Sequence, residues 1–180
     1  MEYEHDQALL DQVLRVYKPH TRYLNSTAVT AKGDPQDEGG MVRLRGAFDI
    51  PESCYIDETG HFNAVEFNLC FNQMYYFIVA KSVKEGLLRA FGDWSMEDFW
   101  KRQLPDMFIV DFRSTFRRHM HGRHFWGELD IVKAQQRDGG NGRMILLNTQ
   151  CRYGEAEKAA CHGEVRLALK SPAAGPVPSP

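Results

Sequence analysis

The sequence predicts an α+β fold in which a curved antiparallel sheet wraps one long, buried helix. Three observations carry that expectation. From Phe62 to Ala80 runs a helix-length stretch that is apolar nearly all round, and such a helix belongs inside a core. Segments on both sides of it alternate apolar and polar residues with the period of two that a half-buried strand requires. Turn-forming, glycine- and proline-rich stretches separate those segments. At 180 residues, 43% of them hydrophobic, the chain has apolar surface enough for one domain, over residues 1–170, and too little for two.

In chain order, Leu9, Leu10, Val13, Leu14 and Tyr17 recur at three- and four-residue spacings, which predicts an amphipathic helix over 6–17 stopped by Pro19. Residues 22–31 form a weak strand and 41–50 a stronger one, with Val42, Leu44, Gly46, Phe48 and Ile50 on one face. The polar, breaker-rich run 32–40 joins them as a hairpin loop. A second loop, 51–60, feeds the central helix, which is expected to reach about Phe91 and stop at Gly92. Ser95, with an acid at Asp98, caps a short helix that ends before Pro105.

Strands fill the remainder. Over 107–120, Phe108, Val110, Phe112, Ser114 and Phe116 share an apolar face, alternating with Ile109, Asp111, Arg113, Thr115 and Arg117. Phe125, Gly127, Leu129 and Ile131 mark the next strand, 139–142 a turn, and 144–153 and 161–169 two more strands. Residues 171–180, with Pro172, Pro176, Pro178 and Pro180, read as a disordered tail. A strand pair, one long helix and then several antiparallel strands bury each other when the sheet curls round the helix, which is the hotdog architecture.

Composition narrows the function classes. A formal charge of -2 gives no reason to expect nucleic acid or an anionic membrane, because phosphate binding shows as an excess of Lys and Arg. Cys54, Cys70, Cys151 and Cys161 are widely and irregularly spaced without a CxxC, so neither a zinc site nor a redox dithiol is indicated, and no cofactor is expected. The acidic start, Met1-Glu2-Tyr3-Glu4-His5-Asp6, lacks the features of a signal peptide, which predicts a cytoplasmic protein with reduced thiols. The long helix carries Asn63, Glu66, Asn68, Asn72 and Gln73, too costly a set to place in lipid. A GxSxG elbow, a phosphate loop and an HExxH motif are all absent from the sequence.

The chemistry gathers where Gly60-His61-Phe62-Asn63 enters the helix. The first turn of a helix presents unpaired N–H groups and about half a positive charge. A thioester carbonyl placed there would find an oxyanion hole, with Asn63 adding a side-chain donor and Glu66 one turn deeper on the same face. A lone Asn at a helix start is most often an N-cap. The company of His61, Glu66 and Asn72 in an otherwise apolar segment, with Tyr55 in the loop before it, turns the reading towards a site.

The segment from Pro51 to Gln73, PESCYIDETGHFNAVEFNLCFNQ, closely resembles the FcoT-like type III acyl thioesterases of actinobacteria, which are hotdog proteins. Tyr17 with Arg22-Tyr23-Leu24, Gly92-Asp93-Trp94-Ser95 and Phe116-Arg117-Arg118 extend the resemblance over most of the chain. It implies functional positions at Tyr17, Tyr55, Asn63 and Asn72: Tyr55 and Asn63 orient the thioester carbonyl and the nucleophile, and Tyr17 and Asn72 complete the pocket. The family lacks the usual hotdog catalytic acid arrangement, which leaves the role of Glu66 open. The resemblance also implies a homo-oligomer whose sites are finished by a neighbouring subunit.

Members of the family in secondary-metabolite clusters imply a more specific reaction. Glycine adds through its amine to the β-carbon of an α,β-unsaturated acyl thioester on an acyl carrier protein, and hydrolysis then releases an N-carboxymethyl-β-amino acid. Both steps build negative charge on the thioester oxygen, so one donor set serves both. His61 and Glu66 are the candidate bases. For the glycine carboxylate the arginines of the run Phe112 to His124 are candidates, since Arg pairs with carboxylates bidentately. Alternation turns Arg113, Arg117 and His119 away from Phe112 and Phe116, which favours docking of an acidic carrier protein, or of coenzyme A phosphates, for the cluster that also holds His121. A bulge within 118–122 would redirect one residue inward. A plain long-chain acyl-CoA or acyl-carrier thioesterase is the alternative, a hotdog dehydratase fits less well, and a non-catalytic acyl-carrier binding module is the alternative of another class.

Overall fold

The structure, a computed structural model, describes residues 1–57, 60–139 and 142–171. Two residues of the turn expected at 139–142, and the proline-rich tail beyond 171, lie outside the described residues. In chain order the elements are β1 (Glu2–Tyr3), α1 (Gln7–Leu14), β2 (Leu24–Lys32), β3 (Met41–Asp49), α2 (Ala64–Glu85), α3 (Met96–Arg102), β4 (Met107–Phe116), β5 (His124–Gly139), β6 (Gly142–Glu155) and β7 (Lys158–Lys170). Short 3-10 turns lie at Pro19–Thr21 and Arg89–Phe91.

Among the described residues seven strands make one sheet in the order β1-β2-β3-β5-β6-β7-β4, each neighbour antiparallel. Period-two alternation sets its inner face: Val42, Leu44, Phe48, Leu129, Ile131, Ile145, Leu147, Val165 and Leu167 are each at most 2% exposed. The outer face is tied across strands by ion pairs such as Arg43 to Asp130 and Arg166 to Asp111. Against the inner face lies α2. Its Phe67 meets Phe112, Phe116 and Tyr153 edge-on, with ring centroids 5.6, 5.7 and 4.8 Å apart. This is the hotdog arrangement that the element order predicts.

Three local features depart from the sequence reading. The central helix stops at Glu85, because Gly86 takes a left-handed conformation (φ 63°) and turns its N–H back to the Ser82 carbonyl. Six residues earlier than expected, a glycine offers the conformation a helix end needs. In β4 the register slips between Ile109 and Asp111, so Met107 and Ile109 oppose Leu169 and Leu167 while Phe112, Ser114 and Phe116 oppose Val165, Gly163 and Cys161. That bulge moves Phe108 and Val110 off the apolar face, leaving them 39% and 58% exposed. Gln73, one of the polar residues set into the apolar helix, is consumed by the fold. Its Oε1 accepts from the Tyr23 and Leu24 N–H groups at 2.9 and 3.0 Å, and its Nε2 donates to the Thr21 carbonyl at 2.6 Å. Among the described residues no helix is long and apolar enough to cross a membrane.

Candidate active site

The head of α2 is held by a reciprocal cap. Asn63, in an extended conformation, accepts from the Val65 N–H through Oδ1 at 2.8 Å. Glu66 answers: its Oε2 accepts from the Asn63 N–H at 3.2 Å, and its Oε1 accepts from the Ser53 hydroxyl at 2.9 Å. The carboxylate, 3% exposed, is therefore engaged through both oxygens. Capping takes the Asn63 oxygen and leaves its amide nitrogen, which donates to the Tyr55 hydroxyl oxygen at 3.0 Å. An amide that donates to a phenol oxygen strengthens that phenol as a donor in turn. With Tyr55 50% exposed, the two side chains present N–H and O–H donors at the loop surface.

Opposite the helix head runs the segment 117–123, where β4 has ended. Main-chain groups seat it. The Arg117 and Arg118 N–H groups donate to the Ala160 carbonyl, Phe62 N–H to the Met120 carbonyl, and Ile50 N–H to the Arg123 carbonyl, at 2.9 to 3.1 Å. Glu155 Oε1 accepts from the His121 and Gly122 N–H groups at 2.9 and 3.2 Å. Gly122 is left-handed (φ 77°), and a β-carbon there would stand 3.1 Å from Phe62 Cβ, so glycine lets the segment lie close against the helix entry.

Two hollows result. One, of about 290 Å³, lies between residues 50–53, the loop at Asp57 and Gly60, Glu66, and His121 to Arg123. The other, of about 480 Å³, lies between Asn63, Ala64 and Phe116 to His119. His61 and Phe62 line both. The His61, His119 and His121 rings follow one another at 6.0 and 5.2 Å between centroids. Among the described residues no group of three metal-ligating side chains is placed to hold an ion.

The residues singled out in the sequence thus fall into separate places. Tyr55, His61, Asn63 and Glu66 come together at the helix head, with Arg117 and His119 beside Asn63 in one hollow and His121 in the other. Asn72 stands roughly 14 Å further along α2, at 1.5 Å per residue, and meets Asn68 at 3.5 Å. Tyr17 lies beyond it, against Tyr76 with ring centroids 6.3 Å apart. Its hydroxyl and that of Tyr75 are buried without a partner among the described residues. Burial pushes both phenols upwards, with Tyr76 and Cys70 adding to the effect at Tyr17, so both stay protonated and able to donate. Burial likewise raises the thiols, Cys161 to about 12 and Cys70 well above its usual range, which keeps them out of thiolate chemistry.

Residues 12–169 match the family model of the FcoT-like thioesterase domain. The chain belongs to the FcoT-like thioesterase family. It is 48% identical over 165 residues to the (2E)-enoyl-[ACP] glycyltransferase of Streptomyces coeruleorubidus, covering 91% of this chain and 96% of that protein. A protein of the same description from Mycobacterium marinum is 35% identical over 164 residues, covering 88% and 84%. Among solved structures, thioesterase superfamily member 2 of Mus musculus superposes with a TM-score of 0.52 at 10% identity, over 91% of this chain and 96% of that one. That likeness is one of fold.

In this FcoT-like thioesterase several contributors to the site escaped sequence reasoning. Ser53 holds Glu66, Glu155 anchors 121–122, and Gly122 lets the segment seat on Phe62. Glu155 carries no local signal, because its partners lie 34 and 33 residues away in the chain. Gly122 did carry one, a lone glycine between His121 and Arg123 just after a strand.

Proposed function

We propose that this chain acts on an α,β-unsaturated acyl thioester of an acyl carrier protein, adding glycine to the β-carbon and then hydrolysing the thioester to release an N-carboxymethyl-β-amino acid. The observation that carries this reading is the Asn63 amide donating to the Tyr55 hydroxyl at the head of α2, in a chain whose relatives are glycyltransferases. A base first takes a proton from the glycine ammonium. The freed lone pair forms the C–N bond at the β-carbon, the C=C pair shifts towards the carbonyl, and the oxygen carries the enolate charge. The protonated base then gives its proton to the α-carbon, which frees the base again and leaves the new C–N nitrogen as a secondary ammonium. In the second half, water gives a proton to the base and adds to the carbonyl, and collapse of the oxyanion breaks the C–S bond as the departing sulfur takes the proton. Both charges form on one oxygen, so the Asn63 Nδ2 and Tyr55 hydroxyl donors serve both steps.

His61 is the better-placed base, since it lines both hollows whereas Glu66 lines the smaller one. Arg117, Arg118 and His119, beside Asn63, suit the phosphate of a carrier's prosthetic arm or an acidic carrier surface. The working form is a homo-oligomer, at least a dimer. Its support is the stripe Val65, Asn68, Asn72 and Tyr76 left outside the sheet on α2, together with Val110 and Phe116 exposed on the edge strand β4. Tyr17 and Asn72, remote from Asn63 within one chain, then finish the neighbour's site.

Incubating the protein with an enoyl thioester, with and without glycine, and weighing the products tests the reading. Release of a glycine adduct is expected. Release of the unmodified acid alone under both conditions leaves the plain thioesterase, and no release under either leaves the binding module.

A further inference from the structure

We infer that the hollow between residues 50–53 and 121–123 is the amino-acid subsite of this reaction, with Arg123 holding the glycine carboxylate. This inference rests on the glycyl-transfer reading and assigns to it a place and a residue.

Size is the first argument. At about 290 Å³ the hollow holds on the order of ten water volumes, room for a small amino acid and a few waters but not for an acyl chain with its prosthetic arm. Charge is the second. One wall carries the cation Arg123, with His121 beside it, and facing walls carry Glu52, Asp57 and Glu66. A zwitterion needs both signs within a few ångströms, whereas an acyl thioester needs neither. The third argument is the state of Arg123. Its backbone is fixed by the hydrogen bond from Ile50 N–H to its carbonyl at 3.0 Å, while its guanidinium has no hydrogen bond or ion pair among the described residues. Neighbouring cations are otherwise occupied: Arg118 donates to the Ala159 carbonyl at 3.2 Å, and Arg113 sits 3.7 Å from Asp111. Arg117, whose side chain likewise has no hydrogen bond or ion pair among the described residues, lines the other hollow beside Asn63.

Access to the reacting carbon follows from the shared wall. Because His61 and Phe62 line both hollows, an amine in the smaller one faces the base and an enoyl chain whose carbonyl sits at Asn63. The β-carbon is three bonds from the carbonyl oxygen, which matches a site divided into two adjoining compartments. Arg123 acts by binding, and the sequence-level preference for docking applies to Arg117 to His119 and stops short of His121 and Arg123.

The test compares glycine with glycinamide, which keeps the amine and lacks the carboxylate. The wild-type protein is expected to prefer glycine. Arg123→Gln should raise the KM for glycine about 10- to 100-fold, more than it lowers kcat, and should abolish the preference over glycinamide, with Arg123→Lys restoring part of it. Arg117→Ala should instead raise the KM for the carrier thioester. A folded Arg123→Gln variant, by melting temperature, with unchanged glycine KM and unchanged preference overturns the assignment alone. Wild-type protein that hydrolyses the thioester but never adds glycine overturns the glycyl-transfer reading and this inference together.

Discussion

Asn63 has two duties, one at each end of a single amide. The oxygen caps α2 and the nitrogen donates to Tyr55, so folding and chemistry can be separated by chemical choice. Asn63→Asp keeps the capping oxygen and loses the N–H donors, and its turnover should fall about 100-fold or more while the melting temperature stays close to wild type. Asn63→Ala loses both, at a cost of about 1 kcal/mol in stability besides the activity. Paired thermal melts and turnover assays check this, and an Asn63→Asp variant of full activity would reduce the residue to a cap. The same residue shows what sequence reading can reach at this scale. A polar residue opening an apolar helix is visible from spacing alone, and so was Asn63. Gln73 was just as visible but its role was not, because what satisfies it lies up to 52 residues away in the chain. Burial tells that a polar group needs partners, but only the fold says whether those are backbone or ligand.

At the scale of elements, α1 is joined to α2 by a small charged knot. Asp6 caps α1 by accepting from the Leu9 N–H at 3.1 Å, and its other oxygen meets Lys84 at 2.6 Å and Lys81 at 3.3 Å. Burial pushes this carboxyl upwards, but hydrogen bonds from Lys84, Leu9 N–H and Lys81 outweigh it and bring the pKa down to about 2. A folded-state value below the unfolded one, about 3.9, contributes stability above that pH and loses it as the pH falls through about 2. The melting temperature should therefore drop more steeply between about pH 4 and pH 2 in the wild type than in Asp6→Asn, where this contribution is already gone. Parallel slopes would show that the knot contributes nothing. Elements were legible where one rule governs them: the caps of α3 and the inner face of β3 follow directly from spacing. The bulge at Val110 was not, since a period of two has no means of counting an extra residue until the partner strand is known.

For the whole molecule, the hotdog order was readable because a long apolar helix between groups of alternating strands has few ways to bury itself. Which site Asn72 serves was not, because a run of sequence says nothing of which subunit a residue serves. If Tyr17 and Asn72 finish a neighbour's site, a mixture of Asn63→Ala and Asn72→Ala proteins, each inactive, should regain about a quarter of wild-type turnover once the subunits are exchanged, since half the dimers are mixed and each has one whole site. A mixture that stays inactive after verified exchange would place both residues in one chain's site. The segment 117–123 has a consequence of another kind. It is fastened mainly by peptide N–H and C=O groups, with Glu155 and the Arg118 guanidinium as the side-chain exceptions, and the side chains at 117 and 123 make no hydrogen bond that holds it among the described residues. Frame and lettering are separate there, as in a loop of an antibody. Descendants of this sequence can accept a new amine or a new carrier by changing single letters at 117, 119, 121 or 123, while the main chain that presents them stays as it is.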